Sequence, residues 1–318
     1  MKAANVAIRA LGALAETTLR LVYSLGSQGV IINNHTQDSG QIRRQVDALH
    51  RYFDFIHHDE LVQRAAAGKK PFCLITFDDG KRVNRDAADT LKQLGVPAVF
   101  YVVTDFVGSE EPLWFDHLAA IRREMGDRVA AFGLDRPKLL NFQELCRRIS
   151  AAAEESGVHA DLSDPRVGPL SWDDVVGLDR DGFTVGAHTT QHAILTNESR
   201  ADAELSIRES ISRVADAIGH ACTSFAFTNG NFTPALAAFA KRCGVQTVMT
   251  TEPTWVSKHD PMHLLPRVQL HEKQSNKLAC AKLSVSRAGA LLSDPNGTGR
   301  RYVWNRMRRR LMKPGISL

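Results

Sequence analysis

The sequence predicts an α/β fold on a mainly parallel sheet or barrel, and three observations predict it. Short apolar runs alternate with amphipathic stretches through most of the chain, the pattern of repeated β/α units. Polar residues cluster just past the C-terminal ends of several runs: His35, then Asp78 and Asp79, then His188, then Asn229. In parallel β/α folds that edge collects catalytic groups. Finally, 318 residues with 43% hydrophobic content suit one large domain with extensions, or two small ones, and no repeat or low-complexity tract interrupts them.

The predicted strands are "GVIINN" (29–34), "FCLITF" (72–77), "AVFYVV" (98–103), "FTVGA" (183–187), "SFAF" (224–227) and "VQTVMT" (245–250). Helical patterns fall near 40–52, 83–94, 142–155, 200–218 and 233–242. The stretch 104–182 is long for one connection and is expected to carry extra helices over one face, with "DLSDPRVGPLS" as a loop inside it.

The ends differ from the body. Residues 1–28 are mildly apolar, but Arg9, Glu16 and Arg20 interrupt them before a membrane-spanning length accumulates. No unbroken signal-peptide core is present, so an amphipathic helix is the expectation, lying on the domain or on a membrane surface. The net charge of +5 is local: residues 300–313 hold seven of the 40 basic residues and no acid, leaving 33 basic against 35 acidic residues elsewhere. The segment 273–318 therefore reads as a basic helical tail, either solvated or touching anionic lipid. No nucleic-acid motif accompanies the charge. Five widely spaced cysteines without a CxxC argue against a disulfide framework or a Cys-based zinc site and fit a reducing, cytoplasmic setting, at the membrane periphery if the tail binds lipid.

The chemistry concentrates in two stretches. "CLITFDDGKRVN" (73–84) is an apolar run ending on two adjacent carboxylates and a glycine, which alone reads as a turn. "HTTQHAILT", after "FTVGA", places His188 and His192 four residues apart. His259 and His263 share that spacing, but Pro261 lies between them and no strand leads in, so that pair reads as coincidence. Two imidazoles and one carboxylate form a common three-ligand set for a catalytic divalent metal. A second carboxylate beside them is suited to taking a proton from an attacking water.

"TFDDG" followed by "HTTQH" resembles the polysaccharide deacetylase family, the NodB-homology or family-four carbohydrate esterases. The similarity extends over about residues 29–270, including "LGVPAVFYVVTDFVG" and "LWFD" (113–116). The resemblance implies a distorted (β/α) barrel with fewer strands than a complete eightfold one, spanning 29–272 between the N- and C-terminal helical extensions. It implies Asp78 as catalytic base and Asp79, His188 and His192 as ligands of a divalent metal, zinc by default, with cobalt, nickel or manganese compatible. The implied reaction is hydrolysis of the N-acetyl amide of amino sugars in a polysaccharide or glycan.

The third family motif departs from the pattern. Relatives carry an arginine that orients the base, in Arg-x-Pro-Tyr-Gly, or the variant Phe-Ala-Tyr-Pro-x-Gly; "FAFTNG" (225–230) has Ala226 at that point. Arg267, in "LLPRVQLH", is the candidate replacement, against the alternative of pairing with a surface acid. The Asn229 backbone N–H is the candidate oxyanion donor, and Trp114 joins Asn229 and Arg267 on the substrate side. For the general acid, His35 follows the first strand, where deacetylases of poly-N-acetylglucosamine biofilm systems carry a histidine. His271, near a Leu-x-x-His frame, is the alternative, while His50, His57, His58 and His117 read as ordinary surface histidines.

Two rival functions remain at this stage. One is a deformylase or deacetylase of a lipid- or nucleotide-linked sugar at the cytoplasmic membrane face, favoured by the absent export signal and the basic tail. The other is a non-catalytic glycan-binding barrel, favoured by the altered third motif and disfavoured by the intact Asp78, Asp79, His188 and His192.

Overall fold

The computed structural model describes residues 29–67, 71–256 and 260–270. The N-terminal amphipathic segment, the basic tail and His271 lie outside them, as does His259; His263 falls in a turn.

Among the described residues, eight strands and eight α-helices follow in order: β1 (Val30–Asn34), α1 (Ser39–Leu49), β2 (Asp54–Phe55), α2 (Leu61–Ala67), β3 (Phe72–Phe77), α3 (Val83–Leu94), β4 (Ala98–Val102), α4 (Trp114–Met125), α5 (Phe142–Ser156), α6 (Trp172–Arg180), β5 (Thr184–Ala187), α7 (Arg200–Ile218), β6 (Ser224–Ala226), α8 (Pro234–Arg242), β7 (Thr247–Met249) and β8 (Val268–Gln269). The strands form one parallel sheet of order β7-β6-β5-β4-β3-β1-β8. Its two ends meet through a parallel bridge between Met249 and Leu265, so the sheet curls into a distorted barrel of seven strands. β2 pairs with Phe72 and Cys73 before β4 takes up β3 at Ile75. No described helix is long and apolar enough to cross a membrane.

Side chains alternate across each strand, and here both faces are buried. One face of the sheet packs Ile32, Ile75, Phe77, Phe100 and Val185 beneath the helices. The other encloses Ile31, Leu74, Val99, Tyr101, Ala226, Met249 and Leu265 inside the barrel. Local chemistry fixes the helix starts: Asp38 and Gln41 form a reciprocal capping box on α1, and Ser171 with Asp174 does the same on α6.

The long connection holds α4, α5 and α6. Helices α4 and α5 bury their own small core of Leu118, Ile121, Leu145 and Ile149, with Trp114 at its edge. The loop before α6 is tied to the end of β3, because Leu170 N–H donates to Gly80 O (2.9 Å) and Arg82 N–H to Gly168 O (2.8 Å). Two strands go unannounced by the periodicity, β2 and β8, since two residues are too few to show a period.

Candidate active site

The site sits at the C-terminal edge of the strands. Asp78 and Asp79 follow β3 directly, His188 follows β5, Thr228–Gly230 follows β6, and His35 follows β1. Asp79, Thr189, His192 and Asn229 are the four non-glycine residues with positive φ among those described, at 81°, 67°, 56° and 52°. Such backbone costs on the order of 1–3 kcal/mol per residue and persists only where the surroundings impose it. All four belong to the edge loops that carry the site.

Asp79, His188 and His192 each bring one ligand atom within 4.8 Å of the others. Asp79 Oδ1 lies 3.3 Å from His192 Nε2 and 3.8 Å from His188 Nε2. These gaps are longer than good hydrogen bonds, and Asp79 Oδ1 is a buried oxygen with no hydrogen-bond partner among the described residues. Metal–ligand bonds of ~2.0–2.2 Å at a tetrahedral angle would set neighbouring ligand atoms ~3.4 Å apart, so the donors suit a shared small cation. His188 Nδ1 lies 2.8 Å from the Ala226 carbonyl oxygen, which can only accept, so Nδ1 carries the proton and Nε2 keeps its lone pair. Burial keeps that imidazole neutral, its pKa pushed down to about 4 against the pull of Asp78.

Asp78 is held differently. Arg267, fully buried, donates from Nη1 to Asp78 Oδ1 (2.7 Å) and from Nη2 to Oδ2 (2.8 Å). Its Nη1 also reaches Thr76 Oγ1 (3.1 Å) and its Nε the Thr250 carbonyl (3.0 Å). Burial pushes the Asp78 carboxyl up, but the charges of Arg267 and His188 and the Arg267 hydrogen bonds bring it below the ordinary carboxylate value. Asp79 is also lowered: burial again opposes, and the interaction with His192 leads the groups that overcome it. The chain thus places an arginine on Asp78 from the residue just before β8 rather than from β6. At the vacated position, Ala226 contributes its backbone oxygen to His188 instead.

His35 is half-buried and within electrostatic reach of both aspartates. Asn84 ties its loop to the aspartate loop, donating to His35 O (2.7 Å) while accepting from Lys81 N–H (3.1 Å). Asn229 lies at the rim, its Oδ1 3.0 Å from Lys138 Nζ of the long connection. Trp114 lies behind a candidate ligand: its indole N–H donates to His192 O (3.2 Å) and its side chain is buried. Trp114 therefore supports the His192 backbone.

Two features escape the sequence. Gly80 has φ 80°, and a Cβ there would meet Val102 Cγ1 at 3.1 Å, so the turn runs close under β4. Lys81, buried, pairs with Asp116 of α4 (2.7 Å) and lies 4.9 Å from the centre of the Phe115 ring, which in turn packs edge-on against His192 at 4.9 Å. The pair staples the aspartate loop to the helix that backs His192. The reading of His58 as a surface histidine is corrected: in the stretch between β2 and α2 it is 5% exposed, because the Thr247 hydroxyl, 2.7 Å from its Nε2, gives the ring a buried partner.

A carboxylate beside a His₂Asp donor set, Asp78 Oδ2 lying 3.8 Å from His188 Nε2, at the C-terminal edge of a β/α barrel, defines a hydrolase-type site. The sequence profile described as polysaccharide deacetylase matches residues 65–248, more than half of the chain, and the chain belongs to that family of amide-bond hydrolases. Solved structures share the fold at low identity. The deacetylase PplD of Streptococcus pyogenes, in complex with acetate, gives a TM-score of 0.56 at 13% identity, over 81% of this chain and 99% of that one. A polysaccharide deacetylase from Bacillus cereus gives 0.55 at 17%, over 81% and 69%. IcaB from Ammonifex degensii gives 0.54 at 17%, over 81% and 98%. A search of the curated proteins found no match.

Proposed function

We propose that this chain removes acetyl groups from N-acetylated amino sugars of a glycan, using a divalent metal, zinc by preference, held by Asp79, His188 and His192. One observation carries the reading: two adjacent buried carboxylates have been given different surroundings, Asp79 among two imidazoles and Asp78 on a guanidinium. Groups of one kind set in unlike environments can take unlike roles.

The bound metal would polarise the amide carbonyl and favour ionisation of a water. Asp78, kept ionised and fixed in orientation by Arg267, accepts the proton of that water as the water oxygen bonds to the carbonyl carbon. The positive-φ loop at Asn229 supplies a backbone N–H for the developing oxyanion. His35, across the site on the β1 edge, delivers a proton to the leaving amine, and breaking the C–N bond releases acetate and the free amino sugar.

The test is acetate release from a panel of N-acetylated glycans, with metal content measured alongside. Wild type should release acetate, and Asp78→Asn should retain metal but lose turnover. Full activity in Asp78→Asn would sink the base assignment. A wild-type protein that binds metal and releases no acetate from any member would sink the substrate class.

A further inference from the structure

Beneath the site, the barrel interior is crossed by a file of buried polar groups. His58 Nε2 lies 2.7 Å from Thr247 Oγ1, Thr247 Oγ1 2.7 Å from Ser224 Oγ, and Ser224 Oγ 2.6 Å from the Tyr101 hydroxyl. None of the four residues is more than 5% exposed. Burying polar groups is costly unless each is partnered, and apolar side chains fill such a volume without that requirement. A satisfied network adds a unique orientation for its members. Here the member that gains one is the Tyr101 ring, which lies under the Arg267 guanidinium with Cζ 5.3 Å from the ring centre, inside cation–π range.

Space for the ring has been left open. A Cβ on Gly186 of β5 would stand 2.5 Å from the Tyr101 ring and 2.9 Å from Ser224 O. No side chain fits there while the ring keeps its place.

We propose that Tyr101 is a positioning residue for the base: its ring, anchored through Ser224 and Thr247 to His58, keeps Arg267 bidentate on Asp78. This rests on Asp78 being the base. Guanidinium N–H groups lie in the plane of the group, so the bonds to Asp78, Thr76 and Thr250 constrain it in that plane. The aromatic ring supplies the contact those bonds do not. Loss of the ring frees the guanidinium to tilt and lets the base leave its attacking geometry, where a misplacement of about 1 Å can cost ~10²-fold.

The experiment compares Tyr101→Leu and Tyr101→Phe in the full chain, by crystal structure and by kcat and KM for acetate release from N-acetylated chito-oligosaccharides. Tyr101→Leu should displace Arg267 from bidentate contact and lower kcat by ~10–100-fold, with KM within about twofold. Tyr101→Phe keeps the ring and should restore kcat to within about fivefold of wild type. Arg267 still bidentate in Tyr101→Leu, or equal losses in the two variants, overturns the proposal. If Tyr101→Leu does not fold, Tyr101→Met fills a similar volume without a ring: a kcat loss of ~10-fold or more at constant KM supports positioning, and an unchanged kcat overturns it. A displaced Arg267 in a protein whose wild type releases no acetate leaves the positioning standing and removes the deacetylase reading.

Discussion

Arg267 and Asp78 stand 189 residues apart in sequence and meet through two hydrogen bonds of 2.7 and 2.8 Å inside the barrel. The other ion pair of Asp78 among the described residues, with His188 Nε2, is longer at 3.8 Å, so Arg267 and Asp78 each set most of the cost of losing the other. Arg267→Met should destabilise the fold by about 3–5 kcal/mol, because it strands a buried carboxylate. Adding Asp78→Asn should recover most of that loss. Urea unfolding of the two single variants and the double variant closes the cycle, and additive losses would show that the pair is not coupled.

Lys81 acts one step away from the donor set. Its bond to Asp116 fixes α4, whose Trp114 and Phe115 back His192. Burial pushes the Asp116 carboxyl above its ordinary value against the charge of Lys81, so losing the lysine removes the group that opposes that push and opens the staple. Lys81→Met is expected to weaken zinc binding by ~10–100-fold, the usual range for groups that orient ligands. Chelator competition measures this directly, and Asp78→Asn, tested alongside, should remain within a few-fold of wild type.

His35→Ala should lower kcat by ~10²–10⁴-fold, the contribution typical of a positioned acid, with metal content unchanged. A loss below tenfold in steady-state acetate release would move the proton donor elsewhere, with His271 the next residue to change.

His58 gives the fold a pH dependence of its own. Burial pushes its pKa from 6.5 down to about 4, only partly opposed by Asp59. The folded pKa lies below the unfolded one, so the unfolded chain takes up the proton first as pH falls. Stability is therefore fully present above pH 6.5 and is lost between 6.5 and 4, by about 3 kcal/mol over that window. Urea midpoints across the window should fall in wild type and fall less in His58→Gln. Parallel curves would show that His58 does not carry the effect.

The residues that were legible announce themselves locally. Asp78, Asp79, His188 and His192 each follow a readable strand, and a parallel sheet brings such ends together whatever lies between them. Strand β3 and helices α3 and α7 have their read boundaries for a similar reason, since an unbroken apolar run in β3 and long periodic runs in the helices override neighbouring ambiguity. Arg267 was visible only as a candidate. Its partner is set by closure of the sheet, and the two-residue strand that places it shows no pattern. Lys81–Asp116 escaped because a contact between a loop and an inserted helix has no sequence spacing to betray it. His58 was misread because nothing local distinguishes an inward-turned histidine from a surface one; only the matching hydroxyls of Thr247, Ser224 and Tyr101, on three other strands, do so.

Strand β8 pairs with β1, so the last described strand docks against the first. During synthesis, the aspartates, both candidate histidine ligands and most of the sheet leave the ribosome well before Arg267 does. Until that strand arrives, Asp78 lacks its bidentate partner and its carboxylate resists burial. The candidate site is thus among the last parts to settle, and a chain cut short ahead of residue 267 would carry both sequence motifs without the guanidinium that holds Asp78.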